Sequence, residues 1–255
     1  MLRTLAERLS RNLSFRRRLP ARFGGANILV SPEGGLRYWR LDLEKVDPTL
    51  LHAAAEWVRP GNVIWDVGAN VGLFTFAAAG LAGPAGQVLA IEPDAWLASL
   101  LRRSAKLPAA ARAQVDVVEA AVSNRIGMSE FVVASRARSS NHLAGFGLSQ
   151  AGACREKHQV PTVTLDALLG FNPAPNLVKI DVEGAEHDLL AGAGRLLTTV
   201  RPILLCEVSG HSTAAVTKIL WSAGYTIFDA DAARTERRPL PEAVWNTLAL
   251  PHFAT

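Results

Sequence analysis

Cysteine is scarce in this chain, and its scarcity excludes several kinds of site. Only Cys154 and Cys206 are present among 255 residues. They are too few and too far apart to supply the paired spacing of a cysteine metal site. Cys154 also has no His or Asn partner placed by a motif, so nothing indicates a nucleophilic thiol. This usage favours a reducing intracellular compartment.

Long apolar runs are missing as well. No stretch approaches the length of a membrane span, and the N-terminus alternates Arg with Leu instead of forming the continuous apolar core of a signal peptide. We therefore expect a soluble, cytoplasmic protein.

Acidic residues are nearly absent from the N-terminus. Seven Arg residues precede position 23 against the single acid Glu7, although the whole chain carries a formal charge of only +4. Leucines at helical spacing predict a basic amphipathic helix over Met1–Arg22. We favour a helix docked on its own domain; contact with a membrane surface or an acidic carrier is the alternative.

The next segment predicts a hairpin. Ile28–Val30 and Leu36–Trp39 are separated by a turn sequence, Ser31–Gly35. We expect residues 1–50 to form a cap on a main domain of residues 51–255.

Apolar strands and helical segments alternate along most of the chain, which predicts a doubly wound α/β sheet. Ser135–Gln159 has no clear period and is predicted to be a long loop, in which His142 is a candidate acceptor contact. The predicted strands are 63–67, 87–91, 115–118, 130–133, 176–181, 203–207, 225–228 and 246–250, and the predicted helices are 73–81, 94–106, 185–197 and 214–221.

A glycine turn follows the first strand of the main domain. The chain has no Gly-Lys-Ser/Thr, so the turn is not a P-loop, and Asn70 stands where the dinucleotide fingerprint needs a glycine. Asp66 ends this strand and Glu92 ends the next, at the separation where a carboxylate binds both hydroxyls of a ribose. A ribose held without a pyrophosphate fingerprint indicates an adenosyl cofactor, of which S-adenosylmethionine is the common one.

Several segments together resemble the FkbM-type methyltransferases. The most specific is Leu177–Glu186, which reads Leu-Val-Lys-Ile-Asp-Val-Glu-Gly-Ala-Glu; Asp66–Gly72 and Glu92-Pro93 are shared by many methyltransferases. The resemblance spans about residues 62–208. It implies a Rossmann-like sheet, mostly parallel with an antiparallel last strand, and O-methylation of a hydroxyl on a small molecule, natural product or glycan. It also implies the cofactor contacts: Gly68, Ala69, Asn70 and Gly72 at the methionine moiety, Glu92 at the ribose, and Glu119 with Ala120 at the adenine.

The candidate catalytic residues follow two later strands. Asp181 and Glu207 stand at strand ends, where the ligand crevice of an open α/β sheet lies, and Glu183 and His211 are close by in sequence. A carboxylate or His within reach of a hydroxyl meets the need for proton removal. Asp181 and Glu207 are also oxygen ligands suited to Mg²⁺, while a helix-capping role for the acids is the alternative. An ion pair is the favoured role of Lys179.

Two rival functions stay open on sequence grounds. The basic N-terminus permits nucleic-acid methylation, but the Asn/Asp-Pro-Pro-Tyr/Phe segment of amino-methylating enzymes is absent. A non-catalytic module that binds an adenosyl ligand is the second. The intact Asp66, Gly68, Gly72 and Glu92 argue against it.

Overall fold

The computed structural model describes residues 13–109, 111–134, 138–146 and 154–252. Its central feature is a seven-stranded sheet in the order β12-β13-β11-β10-β3-β4-β5. The strands are β3 (Val63–Val67), β4 (Gln87–Ile91), β5 (Gln114–Val118), β10 (Leu177–Ile180), β11 (Ile203–Glu207), β12 (Tyr225–Asp229) and β13 (Asn246–Pro251).

The sheet is doubly wound, as the sequence predicts. From β3 the chain proceeds through β4 to β5 on one side, then returns to place β10 and β11 on the other, and all these pairs are parallel. The last strand, β13, is antiparallel to both of its neighbours. The direction of winding therefore reverses between β3 and β10, and ligands of open α/β sheets bind at such a point.

Two hydrophobic cores cover the two faces of the sheet. Successive residues of a strand point to opposite faces of the sheet, so Ile64 belongs to one core and Trp65 to the other. The helices that pack on these faces are α1 (Pro48–Trp57), α2 (Leu73–Ala82), α3 (Ala95–Ala105), α4 (Leu165–Leu168), α5 (Glu186–Ala191) and α6 (Thr213–Ser222). No helix among the described residues is both long and apolar enough to cross a bilayer.

The predicted hairpin pairs the wrong residues. The two N-terminal strands are β1 (Phe15–Arg18) and β2 (Asn27–Val30), whereas Leu36–Trp39 is a 3₁₀ helix. Ser31 explains the difference: its hydroxyl accepts the Glu33 N–H at 3.1 Å and starts a 3₁₀ turn at Pro32–Gly34. The predicted helix Met1–Arg22 is likewise wrong from residue 13 onward, and residues 1–12 lie outside the described part.

This N-terminal segment shares a core with the main sheet. Phe23, Ile28 and Tyr38 are buried in the same cluster as helix α2. Phe23 lies so close to α2 that a Cβ added at Gly80 would stand 2.0 Å from the Phe23 carbonyl oxygen. The cap therefore packs as part of one hydrophobic unit with the residues that surround the glycine turn.

A second, four-stranded sheet has the order β6-β9-β7-β8. Its strands are β6 (Ala121–Val122), β7 (Gly127–Ala134), β8 (His142–Leu143) and β9 (Cys154–Val163). Strand β9 occupies the C-terminal part of Ser135–Gln159, so the prediction of a loop up to Gln159 is wrong there. The exposed, charged side chains of Arg155–Lys157 conceal the strand from an apolar pattern.

The helix predicted over residues 185–197 is broken into two pieces. Helix α5 ends at Ala191, and a π-helix begins at Leu196. Asp166 accounts for the break, because its carboxylate accepts the N–H groups of Arg195 and Leu196, both at 2.8 Å.

Candidate active site

A cavity of about 520 Å³ opens at the carboxyl ends of the parallel strands. It extends across the point where the winding reverses between β3 and β10. Of the predicted site residues, eight line its wall: Gly68, Asn70, Glu92, Ala120, His142, Asp181, Glu183 and Glu207. Five others lie outside the wall that the described residues form: Asp66, Ala69, Gly72, Glu119 and His211.

The glycine turn brings the ends of β3 and β10 together. Gly68 has a φ of +74°, and a Cβ added there would stand 1.8 Å from the Asp181 carbonyl oxygen. Asn70 also has a positive φ, +52°. The tight turn thus leaves backbone, rather than side chain, beside Asp181.

Glu92 presents a buried carboxylate to the cavity. Its side-chain oxygens accept the N–H groups of Asn70 at 2.8 Å and of Asp94 at 2.9 Å. Burial raises the pKa of Glu92 to about 8, against the opposing effect of the Asp94 N–H. Hydroxyl donors of a ligand would favour the charged form of this carboxyl group and so lower its pKa.

Asn70 carries an unsatisfied acceptor in the same region. Its side-chain N–H₂ donates to the Gly34 carbonyl at 3.1 Å, whereas its buried Oδ1 accepts no hydrogen bond within the described residues. A buried acceptor left in this way favours a ligand that brings a donor.

Lys179 lines the cavity and is held there by two carboxylates. Its Nζ lies 3.3 Å from Asp66 Oδ1 and 3.4 Å from Asp181 Oδ2, and it donates to the Gly68 carbonyl at 2.8 Å. Burial by itself lowers the pKa of Lys179, but the two carboxylates outweigh burial and raise it. The predicted ion pair is confirmed, in a central strand rather than at an edge. Asp66 is fully buried and also accepts the Thr75 hydroxyl at 2.5 Å, so it organises the turn from beneath.

Glu183 lies in a strained loop after β10. Its φ of +50° is rarely adopted by a residue with a side chain. Burial raises its pKa to about 8, and the charges of Asp181 and Glu207 add to the shift. Backbone strain retained beside a cavity is typical of functional sites.

Glu207 ends β11 and faces the same group of acids. Burial raises its pKa to about 7, and the charge of Asp181 adds to the shift while Lys179 opposes it. A carboxyl group with a pKa near neutrality can accept a proton from a substrate and release it again at physiological pH.

His211 and Glu119 make contacts away from the cavity. His211 Nε2 lies 3.2 Å from the Gly184 carbonyl oxygen, where it supports the loop that carries Glu183. Glu119 pairs with Arg102 at 2.7 Å on the surface. The catalytic role of His211 and the adenine contact of Glu119 stay predictions, because neither contact supports the predicted role.

Comparison with known proteins identifies the family. The profile described as methyltransferase FkbM domain matches residues 66–227, which is more than half of the chain. This chain belongs to the FkbM methyltransferase family. The family resemblance that Asp66–Gly72 and Leu177–Glu186 indicate is confirmed. The protein is therefore an S-adenosylmethionine-dependent methyltransferase.

One curated relative of this methyltransferase is the hexuronic acid methyltransferase AglP of Haloferax volcanii. The two are 27% identical over 188 residues, which cover 72% of each chain.

Solved structures include more distant methyltransferases. The precorrin-6y C5,15-methyltransferase of Geobacter metallireducens is 14% identical, with 82% of this chain and 88% of that one covered and a TM-score of 0.46. The methyltransferase FkbM of Methylobacillus flagellatus is 16% identical, with 86% and 57% covered and a TM-score of 0.43. At these scores neither structure supports a residue assignment.

The cap lines the cavity with residues that sequence reasoning missed, among them the charged pair Arg37 and Asp47. Arg37 and Asp47 line the cavity wall, and their side chains form an ion pair at 2.6 Å. Asp47 also caps helix α1 by accepting the Leu50 N–H at 3.0 Å. An Asp-Pro helix start was visible in the sequence, but nothing there linked it to the strand ends.

A buried ionic network closes the Glu92 end of the cavity. Arg138 contacts Asp94 and lies 3.6 Å from Glu33, and Asn141 donates to Asp94 at 2.8 Å. Glu33 also accepts from Arg155 at 2.8 Å. The network joins the cap, helix α3 and the small sheet, three parts that no sequence motif connects.

The predicted magnesium site gains no support from this geometry. Among the described residues, no three His, Cys, Asp or Glu side chains are grouped so as to hold a metal ion. Asp181 already has Lys179 as its cationic partner. The acids at this end of the cavity therefore fit hydrogen bonding and proton transfer better than metal ligation.

Proposed function

We propose that this methyltransferase transfers a methyl group from S-adenosylmethionine to a hydroxyl on a small molecule, natural product or glycan. The observation that carries the proposal is the division of one cavity into two ends. Glu92 follows β4, on one side of β3, and we assign the ribose to it; Asp181, Glu183 and Glu207 follow or end β10 and β11, on the other side. The relative named as a hexuronic acid methyltransferase supports a sugar among the acceptor classes.

At the cofactor end, we assign the ribose to Glu92 and the methionine moiety to the turn at Gly68–Asn70. Two findings support a fit. Burial raises the pKa of Glu92, which ribose hydroxyl donors would counteract by favouring its charged form, and Asn70 Oδ1 accepts no hydrogen bond within the described residues. When bound, S-adenosylmethionine supplies an electrophilic methyl group on a sulfonium sulfur.

At the acceptor end, we assign proton removal to Glu207. Its pKa of about 7 makes it a base at neutral pH, and it lines the cavity. Asp181, fixed by Lys179, is positioned to accept a hydrogen bond from the acceptor and so orient it. Glu183, with a pKa of about 8, is mainly protonated at neutral pH and can donate a hydrogen bond to an acceptor oxygen. His211 would act by positioning the Glu183 loop.

The test is the formation of S-adenosylhomocysteine with a panel of hydroxylated acceptors that includes sugars and uronic acids. Glu207→Gln should lower kcat by about 10²–10⁴-fold and leave the affinity for S-adenosylmethionine unchanged. In the unaltered protein kcat should rise as the pH passes upward through about 7, because Glu207 then loses its proton. Glu130→Gln, an exposed acid outside the cavity wall, is the matched control.

Three results would contradict the proposal. Full activity of Glu207→Gln would remove the proposed base. Binding of S-adenosylmethionine without turnover of any acceptor would favour a non-catalytic module, and methylation of RNA or DNA in place of these acceptors would favour the nucleic-acid rival.

A further inference from the structure

An apolar patch stands on the surface of the cap. Its centre is the pair Phe15 and Trp39, and Leu13 and Leu41 lie two residues from them in the chain; we call these four residues the Trp39 patch. The rings of Phe15 and Trp39 lie 5.3 Å apart. Leu13 is 39% exposed, Trp39 44% and Leu41 79%. Large apolar side chains that stand together in water indicate a surface with a partner.

One arginine contacts the Trp39 patch, and three more lie within three residues of it in the chain. Arg17 lies over the Phe15 ring at 5.0 Å, and Arg16, Arg18 and Arg40 are exposed. Within the described residues, these four contact no carboxylate. Residues 13–45 hold seven basic and three acidic side chains, a net charge of +4 that equals the charge of the whole chain.

The acids of this segment are already engaged. Glu44 pairs with Arg22 at 2.6 Å, Asp42 with Lys45 at 3.7 Å, and Glu33 is buried in the Arg138 network. The exposed field around the patch is therefore cationic.

The patch is physically joined to the active-site cavity. Trp39 and the cavity residue Arg37 lie on one 3₁₀ helix, Leu36–Trp39, and Tyr38 between them is buried in the core. This anchored helix fixes the direction of the patch relative to the cavity wall.

We propose that the Trp39 patch binds the surface of an anionic lipid bilayer and so presents the cavity to acceptors held at a membrane. Trp and Leu side chains gain free energy by entering the headgroup region, and Arg side chains gain it from anionic lipids. A nucleic acid would engage the arginines but would leave Leu13 and Leu41 in water. Binding to the bilayer is independent of the proposed function, whereas the presentation of an acceptor rests on it.

Vesicle sedimentation with the full chain tests the proposal. The probes are vesicles of phosphatidylcholine alone and of phosphatidylcholine mixed with phosphatidylglycerol. We expect binding to the mixed vesicles only, weakened by salt, and a blue shift of Trp fluorescence on binding. The double variant Trp39→Ala with Leu41→Ser should bind at least about tenfold more weakly. Arg16→Glu should weaken binding as well.

Phe171→Ser is the matched control, because Phe171 is 91% exposed but lies outside the patch. This variant should bind like the unaltered protein. Equal binding of the Trp39 variant and the control, or no binding to either vesicle, would overturn the proposal. So would a dimer in solution that the Trp39 variant abolishes, or a DNA duplex bound in preference to vesicles. The Glu207→Gln variant should still bind vesicles. Vesicle binding therefore tests the patch alone, and the assay of S-adenosylhomocysteine formation tests the proposed catalytic role.

Discussion

At Gly68 the backbone turns with a φ of +74° directly beside the Asp181 carbonyl. A glycine signal was readable in the sequence, as were the acids at the strand ends. What the sequence does not contain is the reason for this glycine, because Asp181 is more than a hundred residues away in the chain. Arg37 and Asp47 were missed for the same reason: their place in the cavity depends on how the cap packs, and no motif encodes that packing.

Gly68→Ala should destabilise the protein through two separable effects. The positive φ costs about 1 kcal/mol, and the contact of the new Cβ with the Asp181 carbonyl adds about 1–3 kcal/mol. Gly61→Ala isolates the first effect, because Gly61 has a φ of +81° and nothing within 4 Å of an added Cβ. Urea unfolding should therefore show a clearly larger loss for the alanine at position 68. Equal losses would mean that the close approach to Asp181 does not exist in solution.

The buried acids of the cavity wall should make the stability of the protein depend on pH. Burial is the first cause of the raised pKa values of Glu92 and Glu183, about 8 each, and of Glu207, about 7. Between their ordinary value of 4.5 and these values, the folded state binds more protons than the unfolded chain. The free energy of unfolding should therefore fall as the pH rises through this window.

Glu183→Gln tests that sign. At about pH 8 the variant should be more stable than the unaltered protein, since it avoids ionising a buried group, and at about pH 5 the two should be equal. Urea denaturation at both pH values measures the difference. A variant that is less stable at the higher pH would show that Glu183 is stabilised as the carboxylate, contrary to its surroundings.

At the scale of elements, the sequence predicts strands with apolar runs and misses those without them. Strands β3, β4, β10 and β11 are buried and were found with accurate bounds. Strand β1 is three-quarters arginine, and its Leu-Arg surroundings have a helical period, so its pairing with β2 was not predicted. Strand β9 was missed because its N-terminal half is charged and exposed.

The link between elements that most affects the site is the Arg138 network. Arg138→Ala removes the cationic partner of Asp94 and one partner of Glu33, both buried, and should cost about 3–5 kcal/mol of stability. It should also weaken S-adenosylmethionine binding, because Asp94 donates its N–H to Glu92. Thermal unfolding and calorimetry check the two effects.

Arg102→Ala is the control for the Arg138 variant. Arg102 forms an exposed pair with Glu119, and such pairs contribute about 0–1 kcal/mol. If the two variants lose the same stability, the buried network does not join the cap to helix α3 as described.

For the whole molecule, the alternation of strands and helices was enough to predict a doubly wound sheet, and the family resemblance added the antiparallel last strand. The order and direction of the strands are then sufficient to place Glu92, Asp181 and Glu207 along the side of the sheet where the parallel strands have their carboxyl ends. The sequence could not predict how the cap completes the cavity, because that depends on long-range packing of Tyr38 and Phe23 into the main core. Membrane contact, which the sequence left as the alternative role of an N-terminal helix, is proposed for the Trp39 patch.

The central claim is that one cavity holds S-adenosylmethionine through Glu92. Titration calorimetry of the unaltered protein with S-adenosylmethionine tests it most directly, beside Glu92→Ala and Glu130→Ala. Glu92 lines the cavity, whereas Glu130 pairs with Lys157 outside it. We predict at least about a hundredfold loss of affinity for Glu92→Ala, from lost charge-assisted hydrogen bonds, and little change for Glu130→Ala. Unchanged affinity of a folded Glu92→Ala variant would contradict the account.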